Sequence, residues 1–423
     1  MNPLVSKLGV APILLLLSVG IAMMASPPHL LLAAEAGAAS PQSEVAALRE
    51  EVARLTALVA SLSTRLARLE EENTARQAQI DARLAEARAV AAPAGGGVIQ
   101  NQNPDISVVG VAVGKASTDR RDPDRNAIRL EGSELVLTKN VSPYARANLT
   151  LGYHGEEGHV EEGYADFSHV LPGRWEARVG RFLMPIGTLN QIHSHDWPMA
   201  ARPLPLEFFL GGEHGATDEG LSLSTPLDLR SKTYARWQAE VLRGGSTILF
   251  NDGQTRVLGG RLSGNTPLND RDDLNWGMNW HRGAWNRAGD LDSTVYGGDL
   301  MWRRRLSQFD RLTFWGEWLW NTREALGRSP LTAKGYYLTG MYKFRKDRDW
   351  HIGVEYDCTE RPGDARFNAV ARSAFAGYWL TENDRLQLQF RQVRDPFRGA
   401  SYNEVLLQVI WGMGPHKPHL ANF

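Results

Sequence analysis

SPYARANLTLGYHGEEGHVEEGYADFSHVLPGRWEARVGRF, residues 142–182, is the stretch that decides the fold. From Pro143 to Tyr153, apolar and polar side chains alternate strictly, which is the period of a β-strand with one apolar and one polar face. The polar break at residues 154–158 and the tight turn at 171–173 each lead into another strand. Soluble sandwiches and membrane barrels both contain such hairpins, so the fold class depends on whether the unit recurs.

The unit does recur down to the carboxy terminus. It predicts an all-β transmembrane barrel of about 16 antiparallel strands over residues 103–423, and bacterial outer-membrane barrels have an even number of strands. The strands are expected near residues 106–115, 127–138, 143–153, 160–170, 174–183, 218–225, 232–243, 255–263, 273–281, 293–304, 310–321, 334–345, 349–358, 368–380, 385–394 and 402–412.

Connection lengths predict the orientation of the barrel. Links after even-numbered strands are short, as at residues 171–173 and 381–384, whereas links after odd-numbered strands are expected to be longer, as at 282–293, 321–333 and 359–367. Periplasmic turns are short and extracellular loops longer in such barrels, so both termini are expected in the periplasm.

Composition excludes several classes of protein. The chain has 423 residues, a formal net charge of −1 and a single cysteine, Cys358. A balanced charge without a basic patch argues against nucleic acid as a partner, and one cysteine excludes an internal disulfide framework. The 13 tryptophans and 41 glycines suit a barrel with aromatic girdles and close turns.

Three segments precede the barrel. Residues 1–36 are predicted to be a signal peptide, with an uncleaved anchor helix as the alternative. Residues 44–90 are predicted to form a periplasmic α-helical coiled coil, because valine and leucine repeat in sevens; a single amphipathic or disordered segment is the alternative. Residues 91–102 are a Gly/Pro linker. The heptads predict a homo-oligomer: valine at a with leucine at d favours a dimer in isolated peptides, whereas an attached trimeric barrel would impose three strands.

The strand pattern places apolar side chains toward lipid and polar ones toward a hydrated interior. A barrel of about sixteen strands is wide enough for an aqueous channel. The strand residues expected to line the pore are Arg146, Arg236, Glu240, Glu355, Asp357 and Arg391.

The longest connection, residues 184–217, follows the fifth predicted strand and is rich in proline and aromatic residues. Loops of this length are usually functional or disordered, and this composition favours an ordered loop folded into the bore, where it sets size and charge preference. An outer cap or a subunit-contact loop is the alternative. Its candidate pore-lining residues are His193, His195, Asp196, Arg202, Glu207, Glu213 and His214.

Two kinds of chemistry are weighed against the channel. His193, His195 and Asp196 are weak candidates for a metal site, because imidazole and carboxylate suit zinc but the fourth ligand is missing, with His214 the one candidate for it. The chain contains no G-x-S-x-G elbow and no H-E-x-x-H motif, so no catalytic residue and no cofactor are predicted.

Several motifs resemble those of bacterial outer-membrane porins, particularly the phosphate-selective porin-like group and related outer-membrane proteins. They include NPDIS at 103–107, VEEGY at 160–164, VGRF at 179–182, HSHDW at 193–197 and the terminal Phe423. The resemblance implies a sixteen-stranded, trimeric diffusion channel whose constriction loop follows strand five. Phosphate-selective members carry lysine-rich constrictions, whereas residues 184–217 contain no lysine, which argues against phosphate selectivity.

The sequence therefore predicts an outer-membrane porin, a passive channel for small hydrophilic solutes, with the coiled coil in the periplasm. Its expected partners are outer-membrane lipid, further copies of the chain and solutes. The alternative is a structural tether in which the coiled coil reaches peptidoglycan and the barrel only anchors it. A barrel-based hydrolase or a metal-related receptor is a third hypothesis.

Overall fold

A computed structural model describes residues 103–415 except 155–156, 170, 212–214, 230, 246–247, 252–256, 287, 289–290 and 346–348. It also describes six positions between residues 53 and 68. The chain divides into two compact units, Met1–Ile99 and Gln100–Phe423.

The second unit is a closed antiparallel barrel in which each strand pairs with its neighbours in sequence and the first strand pairs with the last. The strands are β1 (Asp105–Ser117), β2 (Ile128–Ser142), β3 (Ala145–His154), β4 (Glu157–Ser168), β5 (Glu176–Leu183), β6 (Thr217–Leu227), β7 (Tyr234–Leu242), β8 (Val257–Pro267), β9 (Asp272–Ala284), β10 (Asp292–Arg305), β11 (Arg311–Ala325), β12 (Arg328–Arg345), β13 (Asp349–Arg361), β14 (Asp364–Trp379), β15 (Asp384–Asp395) and β16 (Ala400–Met413). The predicted sixteen-stranded barrel is confirmed.

Two predicted long connections are wrong. β11 and β12 continue until only residues 326–327 separate them, and 362–363 alone separate β13 from β14. Gly327 and Gly363 adopt positive φ values of 66° and 85°, which lets a two-residue turn join the strands. Polar residues near these turns made the strand ends resemble loops in the sequence.

The wall of the barrel is uneven in height. β11, β12, β13 and β14 have 15, 18, 13 and 16 residues. β5, β6 and β7 have only 8, 11 and 9 residues.

The predicted alternation between faces holds along the strands. On β9, Met278 is 63% exposed on the outer surface, whereas its neighbour Asn279 is buried inside. On β13, Val354 faces outward, whereas Glu355 and Asp357 are buried. A period of two therefore gives the barrel an apolar outer surface and a polar inner wall.

The interior also contains a large apolar core, which the alternation did not predict. The described part of the connection between β5 and β6 lies inside the barrel and forms two 3-10 helices, Leu189–Gln191 and Ser194–Asp196, and one α-helix, α1 (Leu204–Leu210). Its apolar side chains, including Met184 and Phe209, pack against inward-facing residues of the wall, such as Tyr337. Part of the bore is therefore packed protein rather than open space.

The six described positions of the first unit are α-helical and exposed. They occupy the outward positions of the predicted heptads, and the Thr64 hydroxyl donates to the Ala60 carbonyl at 2.9 Å. The valine and leucine seam lies outside the described residues, so the coiled coil stays a prediction, as do the signal peptide and the linker. Among the described residues, no helix is long and apolar enough to cross a membrane.

Candidate functional site

The inserted connection, which we call the inner loop (residues 184–216), is held at its start by the wall of β9 and β11. The Glu317 carboxylate accepts hydrogen bonds from the backbone N–H groups of Thr188 (3.0 Å) and Leu189 (2.7 Å). The Gly187 N–H donates to Asn279 Oδ1 at 3.2 Å. Inward-facing polar side chains thus satisfy loop backbone groups that water cannot reach.

The middle of the inner loop is held by the wall of β13 and β15. Leu204 N–H donates to Asp357 Oδ2 at 3.0 Å, and Ala201 N–H donates to Gln389 Oε1 at 2.7 Å. The buried Arg385 guanidinium donates to the Trp197 carbonyl at 2.9 Å. Together with the contacts to β9 and β11, these bonds carry the loop across the interior.

Between these attachments, His193 projects from the inner loop toward β2 and β4. Its Nδ1 lies 3.3 Å from Glu134 Oε2 and 3.4 Å from Glu161 Oε2. Its Nε2 lies 3.0 Å from Glu162 Oε2. His195, whose ring stacks on that of His193 with centroids 5.7 Å apart, contacts Glu134 Oε1 through Nδ1 at 3.2 Å. The cluster combines three carboxylates with two imidazoles.

The carboxylates shift the pKa of His193. Burial alone would lower the pKa of the ring, but the charge of Glu134 and the hydrogen bonds to Glu134, Glu161 and Glu162 outweigh it and raise the pKa well above its usual range. In the absence of a bound ion the carboxylates therefore favour the protonated imidazole, whose charge offsets part of theirs.

A cavity of about 1230 Å³ lies on one side of the inner loop and a second, of about 760 Å³, on the other. The larger reaches the barrel end where the even-numbered strands finish, since Ser142 and Ser168, at the ends of β2 and β4, line it. The smaller reaches the opposite end, where Asp119 and Arg398 line it. Both have mixed charged and apolar linings.

A space of only about 30 Å³ adjoins both cavities. It shares Glu162 with the larger cavity and Glu134 and Arg202 with the smaller one, and His193 faces it. Its volume is close to that of one water molecule. The cluster around His193 therefore lines a small space that shares residues with both cavities.

The other predicted site residues are dispersed. Arg146 and Arg236 line the larger cavity, and Glu207, Arg391 and Arg202 line the smaller one. The remaining predicted residues are buried and bound to other protein groups. His195 and Asp196 are buried within the inner loop. On the wall, Glu240 lies 2.9 Å from His281 Nε2, Glu355 accepts a hydrogen bond from the Thr339 hydroxyl at 2.9 Å, and Asp357 accepts one from the Leu204 N–H.

Glu213 and His214 lie outside the described residues, so the candidate fourth metal ligand, His214, stays untested. Arg202 is buried, donates to Asn190 Oδ1 at 2.8 Å and lies over the Trp197 ring. Burial lowers its pKa to about 10, against the raising effects of Glu317, Tyr337 and Glu207.

Sequence reasoning missed Glu134, Glu161 and Glu162. Glu161 and Glu162 are adjacent, so a regular strand would point them to opposite faces. A register shift in the β3–β4 pairing matches Thr150 with Glu162 and Leu151 with Val160, which leaves Glu161 as a bulge residue. Both carboxylates are consequently buried inside the barrel.

Comparisons with known proteins agree with the fold. No family model matches the chain. A curated relative, an uncharacterised protein of Aquifex aeolicus (strain VF5), is 26% identical over 349 residues, which is 70% of this chain and 70% of the relative.

Among solved structures, the chain is similar to a loop L8 deletion mutant of OmpT, an outer membrane protein of Vibrio cholerae, with a TM-score of 0.50 and 9% identity over 73% of this chain and 99% of that one. An anion-selective porin from Comamonas acidovorans has a TM-score of 0.49 and 13% identity over 73% and 98%. The outer membrane channel DcaP of Acinetobacter baumannii has a TM-score of 0.49 and 13% identity over 74% and 96%.

The likeness to the Vibrio protein concerns the fold. It places the chain in the architectural class of closed, sixteen-stranded antiparallel barrels.

Proposed function

We propose that the chain is an outer-membrane porin, a passive channel for small hydrophilic solutes. The observation that carries this proposal is a closed barrel with an apolar outer surface whose interior holds two polar-lined cavities, of about 1230 and 760 Å³, on either side of one inner loop. The Vibrio cholerae structure that shares this architecture is an outer membrane protein by its title, which supports the same location for this chain. Lipid would cover the outer surface.

The inner loop is the constriction in this proposal. The narrow space beside His193, with Glu134, Glu162 and Arg202 on its edge, supports that role. A narrow polar passage selects by size and by charge, because a solute that enters it loses part of its hydration shell.

In this proposal, the charged side chains that line the larger cavity also select between anions and cations. Asp166 binds Arg178 at 2.7 Å, and Glu176 binds Arg236, so these charges largely offset each other. Arg146 is exposed in this cavity and forms no ion pair with any described residue. Its charge favours anions at that entrance.

A homo-oligomer, with a trimer as the expected number, completes the proposal. Outward-facing residues of β1, β3 and β4 include the small side chains of Ala116, Ala147 and Ala165, which allow close approach of another copy. The predicted coiled coil would associate the protomers in the periplasm, where it could also contact peptidoglycan. No catalytic step is part of this proposal.

Planar-bilayer recording tests the channel. Purified full-length protein is expected to give stable stepwise conductance. Folded protein that gives no conductance would support the tether to the cell wall and refute the channel.

Reversal potentials in asymmetric KCl test the constriction. Arg202→Ala is expected to shift the reversal potential toward cation preference, since it removes a positive charge from the narrow region. Arg366→Ala is the control, because Arg366 is exposed at the start of β14 and pairs with Asp364. If both variants keep the wild-type potential, the inner loop does not select ions.

A further inference from the structure

Three residues that can bind a metal ion come together beside the inner loop. They are His193, Glu134 and Glu161, and one donor atom from each lies within 4.8 Å of the other two. The distances from His193 Nδ1 to Glu134 Oε2 and Glu161 Oε2, 3.3 and 3.4 Å, are close to the edge of about 3.4 Å in a tetrahedron of metal–ligand bonds of about 2.1 Å. The donors therefore need little movement to hold one ion.

The Glu134 carboxylate is buried and faces the two histidine rings of this cluster. Glu134 is 7% exposed, and its Oε2 lies 3.3 Å from His193 Nδ1, which is long for a hydrogen bond. A buried carboxylate oxygen without a close hydrogen bond is costly unless another group binds it. Glu134 is one of the three convergent residues.

Each of the three donor residues is oriented by a partner on its other side. His193 Nε2 lies 3.0 Å from Glu162 Oε2, and His195 Nδ1 lies 3.2 Å from Glu134 Oε1. His159 Nε2 lies 3.5 Å from Glu161 Oε1. Ligating histidines usually donate their other ring N–H to such a carboxylate, which fixes the tautomer and the ring orientation.

The backbone makes room for this arrangement. The bulge turns Glu161 inward beside Glu162, and bulges often re-aim a side chain in this way. Across the pairing, a Cβ on Gly152 would lie 2.2 Å from Glu161 Oε1, so glycine at that position leaves space for the carboxylate.

We propose that Glu134, Glu161 and His193 form a binding site for a first-row divalent transition-metal ion such as Zn²⁺. A ligand set of one imidazole and two carboxylates suits Zn²⁺, Fe²⁺ or Mn²⁺, whereas Mg²⁺ prefers sites made of oxygen ligands alone. The narrow space leaves a coordination position for water or a passing solute. The site differs from the sequence motif HSHD, since only His193 of that motif supplies a donor.

Metal binding does not depend on conduction, so its failure and that of the channel are distinguishable. Full-length protein in detergent is stripped with EDTA and titrated with Zn²⁺ against a chromophoric chelator, with Mg²⁺ as the comparison ion. The wild type is expected to bind one Zn²⁺ per barrel at this site and to show no comparable affinity for Mg²⁺.

Glu161→Gln and His193→Gln each remove a proposed direct ligand and are expected to weaken Zn²⁺ affinity by about 100-fold. Loss of a group that only hydrogen-bonds to a ligand already lowers metal affinity by about 10–100-fold. Glu324→Gln is the matched control and is expected to bind like the wild type, because Glu324 lies on β11, outside the cluster. Unchanged affinity in the two site variants, or no Zn²⁺ bound to the wild type below millimolar concentrations, would overturn the proposal.

X-ray absorption at the zinc edge keeps the test independent of how the variants fold. The wild-type complex is expected to show a nitrogen and oxygen shell at about 2.0–2.1 Å with the outer-shell pattern of imidazole. A sulfur shell, which would indicate Cys358, or a spectrum without imidazole would contradict the assignment.

Discussion

Gly187 offers a direct test of how the inner loop is attached to the wall. Its φ is 69°, and a Cβ there would lie 1.9 Å from Glu317 Oε2. Gly327 has nearly the same φ, 66°, but nothing lies within 4 Å of its Cβ position. Alanine at either position lowers the free energy of unfolding by about 1–2 kcal/mol, because its Cβ is strained in the left-handed backbone conformation. The difference between the two variants therefore isolates the contact with Glu317.

In Gly187→Ala the Glu317 carboxylate must move, and it then loses the hydrogen bonds that it accepts from the N–H groups of Thr188 and Leu189. Each lost hydrogen bond costs about 0.5–1.5 kcal/mol. The free energy of unfolding is therefore expected to fall by about 1–3 kcal/mol more in Gly187→Ala than in Gly327→Ala.

Urea unfolding in lipid vesicles measures this difference, and single-channel recording gives a second readout. Gly187→Ala is expected to increase open-channel noise, since the start of the inner loop loses its anchor, whereas Gly327→Ala is expected to leave the recording unchanged. Equal stability and equal noise in the two variants would refute the proposed role of Glu317.

Three further predictions concern the outer surface, the cavity charge and the metal site. Met278→Lys puts a charge on the outer surface of β9, where the proposed function places lipid, and is expected to lower the free energy of unfolding by roughly 2–4 kcal/mol. Leu268→Lys, beyond the end of β8, should cost about 0–1 kcal/mol, and equal costs in vesicle unfolding titrations would contradict a lipid-covered surface. Arg146→Glu should move the reversal potential in asymmetric KCl toward cations, and an unchanged potential would remove Arg146 from the solute path. Gly152→Ala places a Cβ 2.2 Å from a carboxylate of the proposed metal site and should weaken Zn²⁺ binding about tenfold or more in the chelator titration; wild-type affinity would show that this carboxylate is not a ligand.

The architecture was predictable because the period of two is visible in the sequence without tertiary information. Alternation identified the faces of β9 and β13 correctly, and recurrence of the same unit gave sixteen strands. The hairpins at residues 326–327 and 362–363 were not predicted, because strand ends that extend beyond an apolar band are polar on both faces and lose the alternating signal.

The site was less predictable than the barrel. The inner loop drew attention through its length, proline and aromatic residues, but those features do not reveal that Glu317 and Asp357 satisfy its backbone. The bulge at Glu161 was also hidden, since one extra residue in a strand changes the face of every side chain that follows it. Its neighbour in the cluster, Glu134, comes from a strand that is distant in sequence from His193.

In the proposed outer-membrane channel, the uneven strand lengths would affect how solutes reach the channel mouth. A strand that crosses a membrane needs about 9–11 residues, so the 18 residues of β12 would extend on the order of 15 Å beyond the bilayer once tilt is allowed for. The 8 and 9 residues of β5 and β7 would not extend beyond it. The taller side of the barrel would then hinder large molecules, and small solutes would enter over the shorter side.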